Sequence, residues 1–146
     1  MGDIPKDNHI TRYIDKVNVY QNGDLDPGAF RLRKLKRGPE KSVSVNWVEH
    51  QNADRAIAIS QIQKIYKQKV RNYTPDSVTA LFNVGECIDN VHLNSPDRRM
   101  LRILHTPGND PRNSHSSITG IKFGNDDLVL ELICDTLMCS YDNAGV

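Results

Sequence analysis

Ser42-Val-Ser-Val-Asn-Trp-Val48 is the stretch that decides the fold class. Val43, Val45 and Trp47 fall on one side of an extended chain and Ser44 and Asn46 on the other, the period of two of a strand with one face in a core. Upstream, Ala29-Phe-Arg-Leu-Arg-Lys-Leu35 alternates in the same way, with Phe30 and Leu32 against Arg31 and Arg33. Arg37-Gly-Pro-Glu40 supplies a turn, so the two runs are expected to pair as an antiparallel hairpin. Downstream, Asn52 or Asp54 can cap a helix reaching about Arg71, because Ala58, Ile59, Ile62, Ile65, Tyr66 and Val70 recur every three or four residues. Trp47 is expected to pack beneath that helix.

The rest of the chain extends this pattern. His9 to Tyr20 enters as a short extended piece, and Gln21 to Gly28 is dense in turn formers. Val78 to Val84 and Arg99 to His105 have the apolar content of strands, Ser117 to Ile121 is a further short one, and Cys87 falls in a loop after Gly85-Glu86. Asn125-Asp126-Asp127 reads as the N-terminus of a last helix carrying Leu128, Val129, Leu132, Ile133, Thr136 and Leu137. Residues 1–8, polar and broken by Pro5, are expected to be a flexible N-terminus, and residues 9–146 a single domain. Strands, helix, strands, helix in that order predict an α+β domain, a small and mostly antiparallel sheet covered by two amphipathic helices.

Composition sets further bounds. The 146 residues, 38% of them hydrophobic, suit one core. The net charge of +1 hides a lopsided distribution: from Arg31 to Arg71 eleven basic residues face three acidic ones, and from Ile103 onward six acidic residues face two basic ones. Three cysteines in no evident framework, and no apolar leader ahead of a cleavage site, point to a reduced cytoplasmic protein. No apolar run approaches the roughly 20 residues that cross a bilayer, so no membrane partner is expected.

His105-Thr-Pro-Gly-Asn-Asp-Pro-Arg-Asn-Ser-His115 is the richest stretch in candidate chemistry. Pro107, Gly108 and Pro111 forbid a helix, and the loop gathers two imidazoles and a carboxylate. It has two readings. His105 and His115 can serve as base and acid, with Asp110 orienting a ring or joining a metal site and Glu49 or His50 contributing from the end of the Trp47 strand. The same residues also make ordinary turns and caps, and no zinc spacing accompanies them. Adjacent strand residues face opposite ways, so at most one of Glu49 and His50 can join such a site. His9 and His92 have no visible partner, and Cys87, Cys134 and Cys139 read as small hydrophobes.

The basic residues form three groups along the chain: Arg31 with Arg33, Lys64 with Lys67 and Arg71, and Arg98 with Arg99 and Arg102. Brought together they would grip phosphates or an acidic protein surface. Few aromatics are interleaved with them, which disfavours a stacking platform for single strands.

Ala29-Phe-Arg-Leu, Ser44-Val-Asn-Trp-Val-Glu49 and the later Asn109-Asp-Pro with Ser114-His115 and Ile118 resemble a set of small uncharacterised bacterial proteins with a Ser-Val-Asn-Trp-Leu-Glu-like strand and an Asp-Pro-Ser-His-like loop. This chain carries two additional residues, Arg112 and Asn113, ahead of Ser114. The resemblance covers about Phe30 to Ile121 and implies a bacterial, cytosolic protein in which the Trp47 strand and the His115 loop belong together. It implies no reaction. The leading expectation is a non-catalytic component of a larger assembly that binds a protein or nucleic-acid partner through a basic face. The alternative is a hydrolase or nuclease using His105, Asp110 and His115 with Glu49.

Overall fold

The alternating stretch forms strand β4 (Val43–Trp47), inside a six-stranded sheet. The computed structural model describes residues 2–146. In chain order the elements are β1 (His9–Ile14), a two-stranded ribbon of β2 (Lys34–Leu35) and β3 (Gly38–Pro39), then β4, α1 (Arg55–Lys69), β5 (Val78–Asn83), α2 (Val84–Asn94), β6 (Arg102–His105), β7 (His115–Thr119), α3 (Asp127–Cys134) and β8 (Leu137–Asp142). The main sheet runs β6-β7-β4-β1-β5-β8, with every neighbouring pair antiparallel. This is an α+β domain with helices on both faces of the sheet.

Each face buries its own cluster. Ile10, Ile14, Val43, Val45, Ala80, Phe82, Ile103 and Ile118 point to one side, where Phe30, Leu101 and the apolar residues of α2 and α3 close over them. Phe30 meets Phe82 edge to face with ring centroids 5.4 Å apart. On the other side α1 lays Ala58, Ile59, Ile62 and Tyr66 onto Leu81 and Val48, with Tyr13, Tyr73 and Tyr141 around them. Between β1 and β4 only Ile10↔Trp47 and Thr11↔Asn46 are paired. Where the two strands then part, Arg12 fills the gap, donating to the carbonyls of Ala29 (3.0 Å) and Ser44 (2.7 Å) over the face of Phe30. Burial there pushes the pKa of its guanidinium down.

Several expectations are corrected. The run from Ala29 to Leu35 is not a partner of β4. It is a 3₁₀ turn at Pro27–Phe30 followed by the ribbon, and β4 pairs instead with β7 and β1. Trp47 lies on the face opposite α1, half-buried, with its indole N–H donated to the Asn8 side chain at 2.9 Å. Residues 2–8, expected to be flexible, are tied in: Ile4 is buried and its N–H bonds the Ile103 carbonyl, while His105 N–H bonds Gly2 O. Cys87, placed in a loop by the sequence, sits buried in α2, whose first turn is capped by the Asn83 side chain on Glu86 N–H (2.9 Å). The expected last helix stops at Cys134, and Leu137 begins a strand instead, because β5 offers a row of backbone groups that β8 satisfies.

Candidate functional site

The register settles where the loop imidazoles point. His105 is opposite Ser116, which is opposite Val45, whereas His115 is opposite Asn46, next to Val45 on the same strand. Cross-strand partners share a face and consecutive residues do not, so His105 and His115 stand on opposite faces of the sheet. Asp110 is at the exposed tip of the loop, bonded to Arg112 N–H (3.0 Å) and Nε (3.2 Å), and that guanidinium holds its carboxyl below the usual carboxylate range. Glu49 is committed elsewhere: its carboxylate accepts His9 N–H at 2.7 Å and His9 Nδ1–H at 2.6 Å. The set His105, Asp110, His115 and Glu49 is therefore not brought together. Among the described residues no group of three or more His, Cys, Asp or Glu side chains is arranged to hold a metal ion.

What forms instead are two separate imidazole arrangements. On one face His105 and His50 lie 4.4 Å apart, ring to ring, with Trp47 stacked on His50 at 5.1 Å and edge-on to His105 at 5.2 Å. Each ring donates its Nε2–H to a backbone carbonyl, His50 to Pro111 (2.9 Å) and His105 to Asn113 (2.8 Å). The two rings thus pin the loop onto the Trp47 strand, which is the turn-forming reading of these residues. Glu49 and His9 make a further pair, with Arg55 Nη2 3.1 Å from His9 Nε2. His9 gave no signal in the sequence because its partner is 40 residues away, across the junction of two strands.

On the opposite face α1 packs over β1, β5 and β8 and against Val48, while the half built by β4, β7 and β6 carries polar side chains, with Ser44 exposed, His115 half-buried and Asn46 and Ser117 buried. His115 is the centre of that half. A carbonyl can only accept, so its Nδ1 must carry the proton it shares with Thr106 O at 2.8 Å. Nε2 then holds a lone pair directed at the exposed Ser44 hydroxyl, 3.2 Å away. Thr106 Oγ1 also bonds Ser117 Oγ at 2.8 Å, and Asn46 reaches Ser114 Oγ at 2.8 Å. A hydroxyl, an imidazole with a free lone pair and a group that fixes the tautomer are the parts of a nucleophile with its base. Ser44 and Asn46 carried a sequence signal only as polar residues on a strand and Thr106 only as a residue of the His105 to His115 loop, without the register that joins them to His115.

The basic residues separate into paired and unpaired sets. Arg31 bridges Asp127 (3.0 Å), Arg33 bridges Glu40 (3.0 Å), Arg102 bridges Asp3 (3.0 Å), and Arg99 joins Asp97 and the buried Asp126 at 2.9 and 2.7 Å. Arg98 has a left-handed backbone and turns its guanidinium to the Leu93 carbonyl. These five do not combine into one basic face. Lys64 and Lys67 on α1 and Arg71 just after it are exposed and form no salt bridge with an Asp or Glu among the described residues, and Lys67 donates to the backbone oxygen of Val146. The ribbon adds a second such group that the sequence did not single out: Lys34, Lys36, Arg37 and Lys41 are exposed around the β2–β3 turn, equally without carboxylates.

The two groups share one end of the sheet. Antiparallel pairing puts the start of β4 beside the end of β1, so the ribbon leading into Val43 departs where Tyr13 meets Tyr66 and Tyr73 at 5.9 and 5.8 Å. A cleft of about 400 Å3 lined by Tyr20, Asp24, Glu131 and Asp135 is acidic, and none of the candidate residues lines it. No helix among the described residues is long and apolar enough to cross a membrane. No protein-family model, curated protein or solved structure matches the chain.

Proposed function

We propose that this chain is a non-catalytic component of a larger bacterial cytosolic assembly and that it grips a nucleic acid at its basic end. The observation that carries this reading is that Lys34, Lys36, Arg37 and Lys41 around the ribbon, and Lys64, Lys67 and Arg71 on and just after α1, are exposed and form no salt bridge with an Asp or Glu among the described residues. A phosphate neutralised by an unpaired cation releases the counterions condensed on the nucleic acid, whereas a cation already paired within the chain must first leave its carboxylate. A two-stranded ribbon is also one of the shapes that a duplex groove admits. The cytosolic placement rests on the bacterial resemblance and on three free thiols, which a reducing compartment preserves.

Fluorescence anisotropy with a labelled duplex tests the reading. Lys34→Gln/Lys36→Gln/Arg37→Gln should weaken binding strongly, while Arg31→Gln and Arg102→Gln, whose charges are spent on Asp127 and Asp3, should leave it nearly unchanged. Binding to an acidic protein but to no nucleic acid would replace the proposed partner.

A second reading is favoured by the oriented ring of His115. With Nδ1–H held by Thr106 O, its Nε2 is positioned to accept a proton from Ser44 as that hydroxyl attacks an ester carbonyl, and to return it to the departing alcohol. Water would release the acyl group by the same route. This is the hydrolase alternative with His115 retained and with Ser44 in place of His105 and Asp110.

A further inference from the structure

We infer that β8 is a docking edge for the β8 strand of a second copy of this chain, the two joining antiparallel about a two-fold axis into one continuous sheet. The sheet has two edges, and they are treated differently. β6 is covered by the N-terminal segment, through Ile4 N–H to Ile103 O at 2.9 Å, His105 N–H to Gly2 O at 3.1 Å, and the ion pair of Arg102 with Asp3. β8 has no such cover: among the described residues, Met138 to Tyr141 make no backbone hydrogen bond to any segment other than β5.

An uncovered edge is a row of unpaired N–H and C=O groups, and its complement is another strand. The register identifies which groups are free. Asn143 N–H bonds Ser77 O, so by the alternation of an antiparallel ladder Tyr141 and Cys139 turn their backbone groups inward to Thr79 and Leu81, and Ser140 turns its groups outward.

The side chains select the occupant. Leu137-Met-Cys-Ser-Tyr141 contains no Lys, Arg, Asp, Glu or Pro, and of the usual protections an edge strand carries, only the bulge near Leu137 is present. Met138 is 44% exposed. Asp142, at the end of the strand, is its one charge, so two copies meet without like-charge repulsion where the two carboxylates are kept apart. A two-fold axis at Ser140 would set each Asp142 opposite the other copy's Met138 and keep the two carboxylates apart. Since β6 is already covered, β8 of a second copy is the complementary strand this fold offers.

Sedimentation velocity over a wide range of protein concentration tests the inference, together with Ser140→Pro and Ser140→Lys. Proline removes the outward N–H without touching the β5 ladder and is tolerated on edges, and lysine introduces repulsion at the axis. The wild-type chain should double its mass with concentration, and both variants should remain monomeric with unchanged circular dichroism. A wild-type monomer at every concentration, or a dimer that both variants leave intact, overturns the inference. Either result is independent of nucleic-acid binding.

Discussion

His105 and His115 stand on opposite faces of the sheet although one loop joins them, because His105 shares a row with Val45 and His115 shares the next row with Asn46. The loop between them is a clasp: Pro111 and Asn113 present their carbonyls to His50 and His105, and the exposed Asp110 keeps to Arg112. On the other face His115 is held at Nδ1 by Thr106 O and turns Nε2 to the exposed Ser44 hydroxyl.

That neighbourhood gives a direct chemical prediction. If the Ser44–His115 pair is reactive, an aryl fluorophosphonate should label Ser44, and both Ser44→Ala and His115→Gln should abolish the labelling while His105→Gln retains it. Intact-mass measurement after incubation reads all four proteins. Absence of label on the wild-type chain would remove the hydrolase reading.

The core makes graded demands. Phe82 is fully buried against Phe30, so Phe82→Ala should cost about 3 to 5 kcal/mol as large core truncations do. Trp47→Phe keeps an aromatic ring on the half-buried site and loses the bond to Asn8, and should cost about 1 kcal/mol. Urea unfolding of the two variants should rank them in that order, and the reverse ranking would contradict the packing described above.

Thiol chemistry separates the cysteines. Burial pushes Cys87 and Cys134 up to about 12, so near neutrality both are protonated, Cys87 fully buried and Cys134 half-buried. Cys139 is exposed. Maleimide should modify Cys139 first in the native chain, the half-buried Cys134 more slowly and Cys87 only after unfolding, as peptide mapping would report.

Much of this architecture was legible in local pattern, and the misreadings have physical causes. The three- and four-residue spacing of Ala58 to Tyr66 located α1, and the alternation of Val43 to Trp47 located β4, because each buries one face along its whole length. Alternation in Phe30 to Arg33 came from the end of a 3₁₀ turn and the extended residues after it, which place Phe30 and Leu32 in the core and mimic a strand over so short a run. α2 was visible in retrospect, through Asn83 three residues before Glu86 and through Val84, Cys87, Ile88 and Val91 at helical spacing, but its Gly85 reads as a turn former. That glycine is needed because a side chain there would collide with the Lys6 carbonyl, 2.9 Å away. The candidate sites were less legible. His9 with Glu49, Ser44 with His115, and the ribbon with the end of α1 are all products of strand order, which no single segment encodes.

The ribbon's root carries a pH dependence. Arg33 holds the Glu40 carboxyl below the usual carboxylate range, and Glu40 in turn accepts Arg33 N–H at 2.7 Å. With its folded pKa depressed, Glu40 contributes fully above the unfolded value of about 4.3, and the contribution is lost as pH falls through the folded value. Protection of the Arg33 amide from exchange should therefore drop in acid, and Glu40→Gln should remove that dependence. Protection that stays constant through the acid range in the wild-type chain would mean that the ion pair does not hold the ribbon.

The basic end is tested most directly by the salt dependence of duplex binding. A nucleic acid gripped through the ribbon and α1 should bind with log K falling linearly in log salt concentration, and Lys34→Gln/Lys36→Gln/Arg37→Gln should flatten that slope by about 3, near one unit for each phosphate contact removed. A slope unchanged by the triple substitution, or no binding at low salt, would contradict the account.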